Sequence, residues 1–84
     1  MNTAAIDKAN YLAAACKAGY LDDSDDILYV KDQGEFFHHI CYNSNEGNLL
    51  VSRFHKEAGE YSAQPELETD SFLECVLLIE NYTK

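Results

Sequence analysis

Four side chains in the middle of the chain are of types that do chemistry: His39, Cys41, Arg53 and His55. Residues two apart on a β-strand point to the same side, so His39 and Cys41 share a face, as do Arg53 and His55. A zinc site needs three or four nitrogen or sulfur ligands in a closed geometry, and here three candidate ligands would have an arginine among them. A Cys–His nucleophile needs a thiolate of lowered pKa, an oxyanion hole and a pocket, and a small antiparallel sheet offers no obvious pocket. His38 and His39 are adjacent, point to opposite faces and cannot chelate one ion from a regular strand. An unperturbed imidazole titrates near about pH 6.5, so this pair invites a pH effect. The cluster Asp22-Asp23-Ser24-Asp25-Asp26 is the other candidate. It lacks the Gly at the sixth position and the Glu at the twelfth that an EF-hand calcium loop requires, and it reads as a hydrated acidic loop. The residues thus assign no catalytic, metal or cofactor site, and the chain reads as a non-enzyme.

The elements that position these residues are set by three glycine turns: Asp32-Gln33-Gly34, Asn45-Glu46-Gly47 and Glu57-Ala58-Gly59. A three-residue hairpin loop ends on a residue at positive φ, where glycine avoids a Cβ clash. The turns predict a four-strand antiparallel meander over residues 26–64. In that register Tyr29 pairs with Phe37, Val30 with Phe36 and Lys31 with Glu35. Likewise Cys41 pairs with Val51, Ile40 with Ser52, His39 with Arg53, Lys56 with Glu60 and His55 with Tyr61. One face then carries Val30, Phe36, His38, Ile40, Leu50 and Phe54. The other carries Tyr29, Phe37, His39, Cys41, Leu49, Val51, Arg53, His55 and Tyr61. Neither face is plainly polar, although a single-layer meander normally keeps one face wet.

An alanine-rich run predicts a helix over 3–18, with Thr3 as N-cap, Gly19 as the αL residue after its end, and a core-facing stripe of Ile6, Ala9, Ala13, Cys16 and Tyr20. Pro65 ends the fourth strand. A second helix is predicted over about 70–82, capped by Asp70 or Ser71, with Ser71 and Glu74 forming a capping box. Its apolar residues are Phe72, Leu73, Val76, Leu77 and Ile79. The fold class is α+β, in the order α-β-β-β-β-α, as a two-layer sandwich with both helices over the face of Val30, Phe36, Ile40, Leu50 and Phe54. The face left bare would expose Tyr29, Phe37, Val51, Arg53 and Tyr61. Monomers seldom leave such a patch open, so these residues form a candidate interface for a homodimer or a complex.

Eighty-four residues make one domain with a thin stability margin. Fifteen acids against six Lys and Arg give a net charge of −9. That balance argues against direct binding to nucleic acid or to an anionic membrane. Beyond Lys56 no Lys or Arg occurs until Lys84, so Glu66, Glu68 and Asp70 form a second acidic zone beside Asp22, Asp23, Asp25 and Asp26. No apolar run approaches the roughly 18 residues that span a bilayer, and the N-terminal stretch lacks the basic start of a signal peptide. Cys16, Cys41 and Cys75 are odd in number and lie in apolar runs, which reads as buried thiols in a reducing, cytoplasmic setting. The six tyrosines supply amphipathic rings, common at binding surfaces and equally at the edges of a core.

The helix–sheet–helix layout resembles the double-stranded-RNA-binding domain. That family opens its second helix with a basic cluster, where this chain reads Glu66-Leu67-Glu68-Thr69-Asp70, and its charge is of the wrong sign for RNA. In size, acidity and layout the chain is similar to small phage inhibitors that mimic DNA, including anti-CRISPR proteins, a likeness that no residue motif carries. The likeness implies an inhibitor or adaptor whose carboxylates occupy the Lys/Arg groove of a basic, nucleic-acid-handling protein. The alternative is a structural or regulatory homodimer whose acidity serves solubility. The two differ in whether the acids gather in one patch or spread evenly over the surface.

Overall fold

The computed structural model describes residues 3–20 and 26–82 of the chain. Helix α1 (Thr3–Lys17) is followed by strands β1 (Ile27–Asp32), β2 (Phe36–Asn43), β3 (Asn48–His55), β4 (Glu60–Tyr61) and β5 (Leu67–Thr69), then helix α2 (Phe72–Glu80). The sheet runs β1-β2-β3-β4, all antiparallel, and β5 adds to the same edge of β3 beyond β4. This is the expected α+β order with one further strand.

The turn glycines behave as the sequence demands. Gly34, Gly47 and Gly59 all hold positive φ, and so does Gly19 just past the end of α1. The loops, however, are each one residue or more longer than the three-residue form. Asn43 pairs with Asn48 and His55 with Glu60, which leaves four residues in each loop. The amide of Gly47 then reaches back to the carbonyl of Asn43, and that of Gly59 to His55. In the first hairpin Val30 pairs with His39 rather than Phe36.

An odd shift in register exchanges the two faces of a strand. Each of the three hairpins shifts by an odd number, so the expected face sets are recombined. The first face now carries Val30, Phe37, His39, Cys41, Ser52 and Phe54. The second carries Tyr29, Lys31, Phe36, His38, Ile40, Val51, Arg53 and His55. At the start of β1 an irregularity between Ile27 and Tyr29 leaves Leu28 exposed and lets Ile27 and Val30 face the same side.

The helices lie on opposite faces of the sheet, one on each, rather than together. Tyr11 and Ala15 of α1 pack with Ile27, Val30, Phe37 and Phe54. Cys75 and Ile79 of α2 pack with Ile40 and Val51. A sheet that is apolar on both sides is thus covered on both sides by its own chain. The expected bare face does not exist: Phe37 is 3 % exposed and Val51 0 %.

Helix α1 also turns a different side inward than its alanine stripe suggests. Ile6, Ala9, Ala13, Cys16 and Tyr20 are exposed, while Tyr11 and Ala15 are buried. The ring of Tyr11 stacks on His39 and meets Phe37, Phe54 and Tyr61 edge-on, and its hydroxyl shares a hydrogen bond of 2.5 Å with that of Tyr61. One large amphipathic ring with a polar partner at its tip outweighs a row of small side chains. Of the three thiols, Cys75 is buried, Cys41 half-buried and Cys16 exposed, so the expectation of burial fails for Cys16.

Helix α2 is shorter than expected and starts where the cap is made. The Oγ of Ser71 accepts from the Glu74 amide at 3.2 Å, while the Glu74 carboxylate accepts from the Thr69 hydroxyl, which in turn accepts from the Ser71 amide. The capping box therefore closes through Thr69 rather than directly.

Candidate functional site

The segment between β4 and β5 shapes a connected polar group around Glu66. Phe54 pairs with Tyr61, but Val51 pairs with Leu67, so residues 62–66 bulge across only two residues of β3. Pro65 sits in this bulge, where a residue without an amide proton interrupts pairing without loss. The bulge folds Glu66 over the second face of the sheet. Its carboxylate accepts from Arg53 Nε at 2.5 Å and Nη2 at 3.1 Å, and from His38 Nε2 at 2.6 Å.

The His38 ring is 0 % exposed and lies edge-on to Phe36 and Tyr82. The Nε2 of Gln33 stands 3.1 Å from His38 Nδ1 and donates to the carbonyl of Ile79 at 3.2 Å. An amide nitrogen can only donate, so Nδ1 accepts and Nε2 carries the proton that goes to Glu66. That is the neutral imidazole. Burial pushes the His38 pKa below its ordinary value, and the pull of Glu66 in the other direction only partly offsets it. Burial raises the carboxyl of Glu66, but the hydrogen bonds from Arg53 and His38 outweigh this and hold it below the usual range. The guanidinium of Arg53 lies 4.5 Å from the centre of the Phe36 ring and 5.1 Å from that of Tyr82. The network ties the first hairpin, β3, the bulge and the end of α2 together.

The grouping of His39, Cys41, Arg53 and His55 is divided by the register. His39 and Cys41 face α1, where they line an open cavity of about 350 Å³ with Tyr11, Asp26, Ser52 and Tyr61 among its walls. Arg53 and His55 face the other way, His55 bonding Ser62 Oγ through Nε2 at 2.8 Å. Among the described residues no group of three or more His, Cys, Asp and Glu is placed to hold a metal. His38, which the sequence marks only as half of a pair that invites a pH effect, is central in the structure. Its signal was present: a histidine inside an apolar strand needs partners on the face it points to, and the arginine across the strand depends on the register.

The candidate interface set is also dispersed. Phe37 and Tyr61 face α1, and Tyr29, Val51 and Arg53 face α2. The Tyr29 hydroxyl donates a hydrogen bond to Glu80, and burial, together with this contact, pushes the pKa of Tyr29 up to about 12. Of the acids expected to meet a partner, Asp22, Asp23 and Asp25 lie outside the described residues. Asp26 is half-buried at the rim of the cavity. Both carboxylate oxygens of Glu66 are engaged by Arg53, and its side chain is 24 % exposed. Glu68 and Asp70 are exposed at the edge of the sheet.

The cations behave differently from the acids. Lys31 is paired with Glu80 at 2.8 Å, Arg53 with Glu66 at 2.5 Å and Lys56 with Asp32 at 2.7 Å. Lys8 and Lys17 lie on α1, across the sheet from α2. The segments β5 and α2 and their junction therefore carry Glu68, Asp70 and Glu74 with no Lys or Arg in their own sequence, Glu68 on the α1 face of the sheet edge and Asp70 and Glu74 at the start of α2.

Fold and surface together define a small acidic α+β protein with helices on both faces of an antiparallel sheet. No family model, characterised protein or solved structure matches the chain. No helix among the described residues is long and apolar enough to cross a membrane.

Proposed function

We propose that the protein works by binding another protein, as a small inhibitor or adaptor whose carboxylates occupy the Lys/Arg surface of a basic, nucleic-acid-handling partner. The observation that supports this reading is the fate of the cations. Lys31, Arg53 and Lys56 are each held by an acid of the same chain, so their charge is spent internally. On a chain of net charge −9, exposed carboxylates remain at the sheet edge and helix start, on Glu68, Asp70 and Glu74, and in or beside the hairpin turns, on Glu35, Glu46, Glu57 and Glu60. Carboxylates fixed in this way meet a phosphate-binding groove with charge complementarity and steer association, without direct contact to nucleic acid. Glu68 and Asp70 are the described acids best placed for it. Glu66 supports the surface from within, as the counter-ion of Arg53. A homodimer through the sheet loses its main argument, because Phe37 and Val51 are covered by the two helices.

The test is capture from a nuclease-treated extract of the native host, eluted by a salt gradient. The purified partner is then assayed for nucleic-acid binding with and without the protein. The expected partner is basic, elutes as salt rises, and loses nucleic acid when the protein is added. Glu68→Lys with Asp70→Lys weakens the complex while the fold persists. A partner retained equally at all salt concentrations, or one that keeps its nucleic acid, overturns the proposal.

A further inference from the structure

The outer face of α2 is built to dock. Seven of the nine residues of FLECVLLIE are apolar, and only Glu74 and Glu80 are not. A helix apolar on all sides belongs in an interior. This one lies on the surface, with Cys75 and Ile79 buried against the sheet and the opposite side open. Leu73 is 65 % exposed, Leu77 49 % and Phe72 44 %. Leu73 and Leu77 are four apart, one turn of helix, so they form a single outward ridge. By the same periodicity Glu74 flanks that ridge on one side and Glu80 on the other. Glu80 is neutralised by Lys31. Asp70 and Glu74 stand at the start of the helix, whereas Glu68, paired with Leu50, belongs to the α1 face of the sheet.

An apolar centre with a charged rim is the anatomy of a binding surface rather than of a solvated helix. The sign of the rim selects the occupant. A second copy would bring its own acids and no Lys or Arg on α2 to meet these, so like charges oppose that pairing. We infer that the Leu73–Leu77 ridge of α2 is the anchor for a basic amphipathic helix of a protein partner, its apolar stripe on the two leucines and its Lys/Arg toward Asp70 and Glu74. This rests on the reading of the protein as an acidic binder, and names which surface of it carries the specificity.

Two synthetic helical peptides of leucine and lysine test it. One has its leucines three and four apart in a stripe. The other has the same composition with the stripe scrambled, so both carry equal charge. Each is titrated calorimetrically into the intact protein at low and at physiological ionic strength. Burying two half-exposed leucines gives the striped peptide at least a roughly tenfold advantage over the scrambled one. Leu73→Gln with Leu77→Gln, which keeps helix propensity, removes that advantage and leaves the salt-sensitive binding of both peptides in place. Leu77→Gln alone gives an intermediate value, and circular dichroism of each variant matches the parent. If both peptides bind the parent protein alike and with salt dependence, the anchor is wrong while acidic binding stands. If neither binds at low ionic strength, both readings fall. If sedimentation shows a dimer of the parent protein that the double variant dissolves, a second copy covers the ridge and the inference is overturned.

Discussion

Glu66 shows how a single side chain can be misread from sequence and what its position then requires. In a stretch of acids without a neighbouring cation it looks like part of a surface patch. The bulge before it instead places it between Arg53 and His38. Glu66→Ala removes the partner of a half-buried guanidinium and of a buried imidazole at once. We expect a loss on the order of 2 kcal/mol in urea denaturation, because hydrogen bonds to charged groups are the costly ones to delete. A variant as stable as the parent would show that the network contributes nothing net. The same network gives stability a pH dependence of definite sign. Folded His38 takes up a proton less readily than a free imidazole, and protonated Nδ1 would face the donor of Gln33. Below about pH 6.5 the unfolded chain therefore binds the extra proton, and stability falls as acid is added. Glu66, held below its ordinary value of about 4.5, adds a further loss as pH falls through that lower value. Nuclear magnetic resonance titration of the His38 ring should give a midpoint below 6.5, and one at or above it would contradict the neutral, buried ring.

At the scale of elements, the turns were legible and their lengths were not. Gly47 at the end of a loop fits a three-residue and a four-residue hairpin equally well, because both finish on a positive φ. Opposite charges such as Lys56 and Glu60 suggested the shorter loop, yet Lys56 reaches Asp32 and Glu60 sits across from His55. A difference of one residue moved Arg53 from His39 to His38 and reassigned every face. Long-range contacts decide such a choice, and a single sequence does not display them. The glycine itself is testable apart from register. A Cβ on Gly47 would meet nothing within 4 Å, so substitution there strains only the backbone at φ 72°. Gly47→Val should cost on the order of 1 kcal/mol or more, Gly47→Ala less, and Gly47→Asn least, since asparagine tolerates the left-handed region. Equal melting temperatures for the three variants would contradict this ranking. Ser71→Ala, which deletes the acceptor of the Glu74 amide, should cost about 1 kcal/mol by the same measurement.

For the whole molecule, a sheet apolar on both faces needs two covers, and the chain supplies both. The sequence offered two helices, and the economical arrangement of two layers put both on one side. The structure spends one helix on each face, so the core needs no second chain, and what remains at the surface is the apolar ridge of α2 and the excess of carboxylates. Two effects then compete as salt is added. Screening weakens the ion pairs of Lys31, Arg53 and Lys56, each worth at most about 1 kcal/mol where exposed. Screening also relieves the mutual repulsion behind a net charge of −9. The distances separate them. The molecule measures 30 × 28 × 26 Å, while the Debye length is about 30 Å at 0.01 M salt and about 8 Å at 0.15 M. At low salt every carboxylate therefore feels every other, and at physiological salt only its neighbours. The ion pairs, at 2.5 to 2.8 Å, lie well inside either length and lose little. Repulsion is thus removed first, and the melting temperature should rise between these two concentrations. A domain of this size gains roughly 4–8 °C per kcal/mol, so the change is measurable by calorimetry even if the relief is about half a kcal/mol. A melting temperature that falls over the same range would mean that the three ion pairs, and not the excess of carboxylates, govern the electrostatics of the fold.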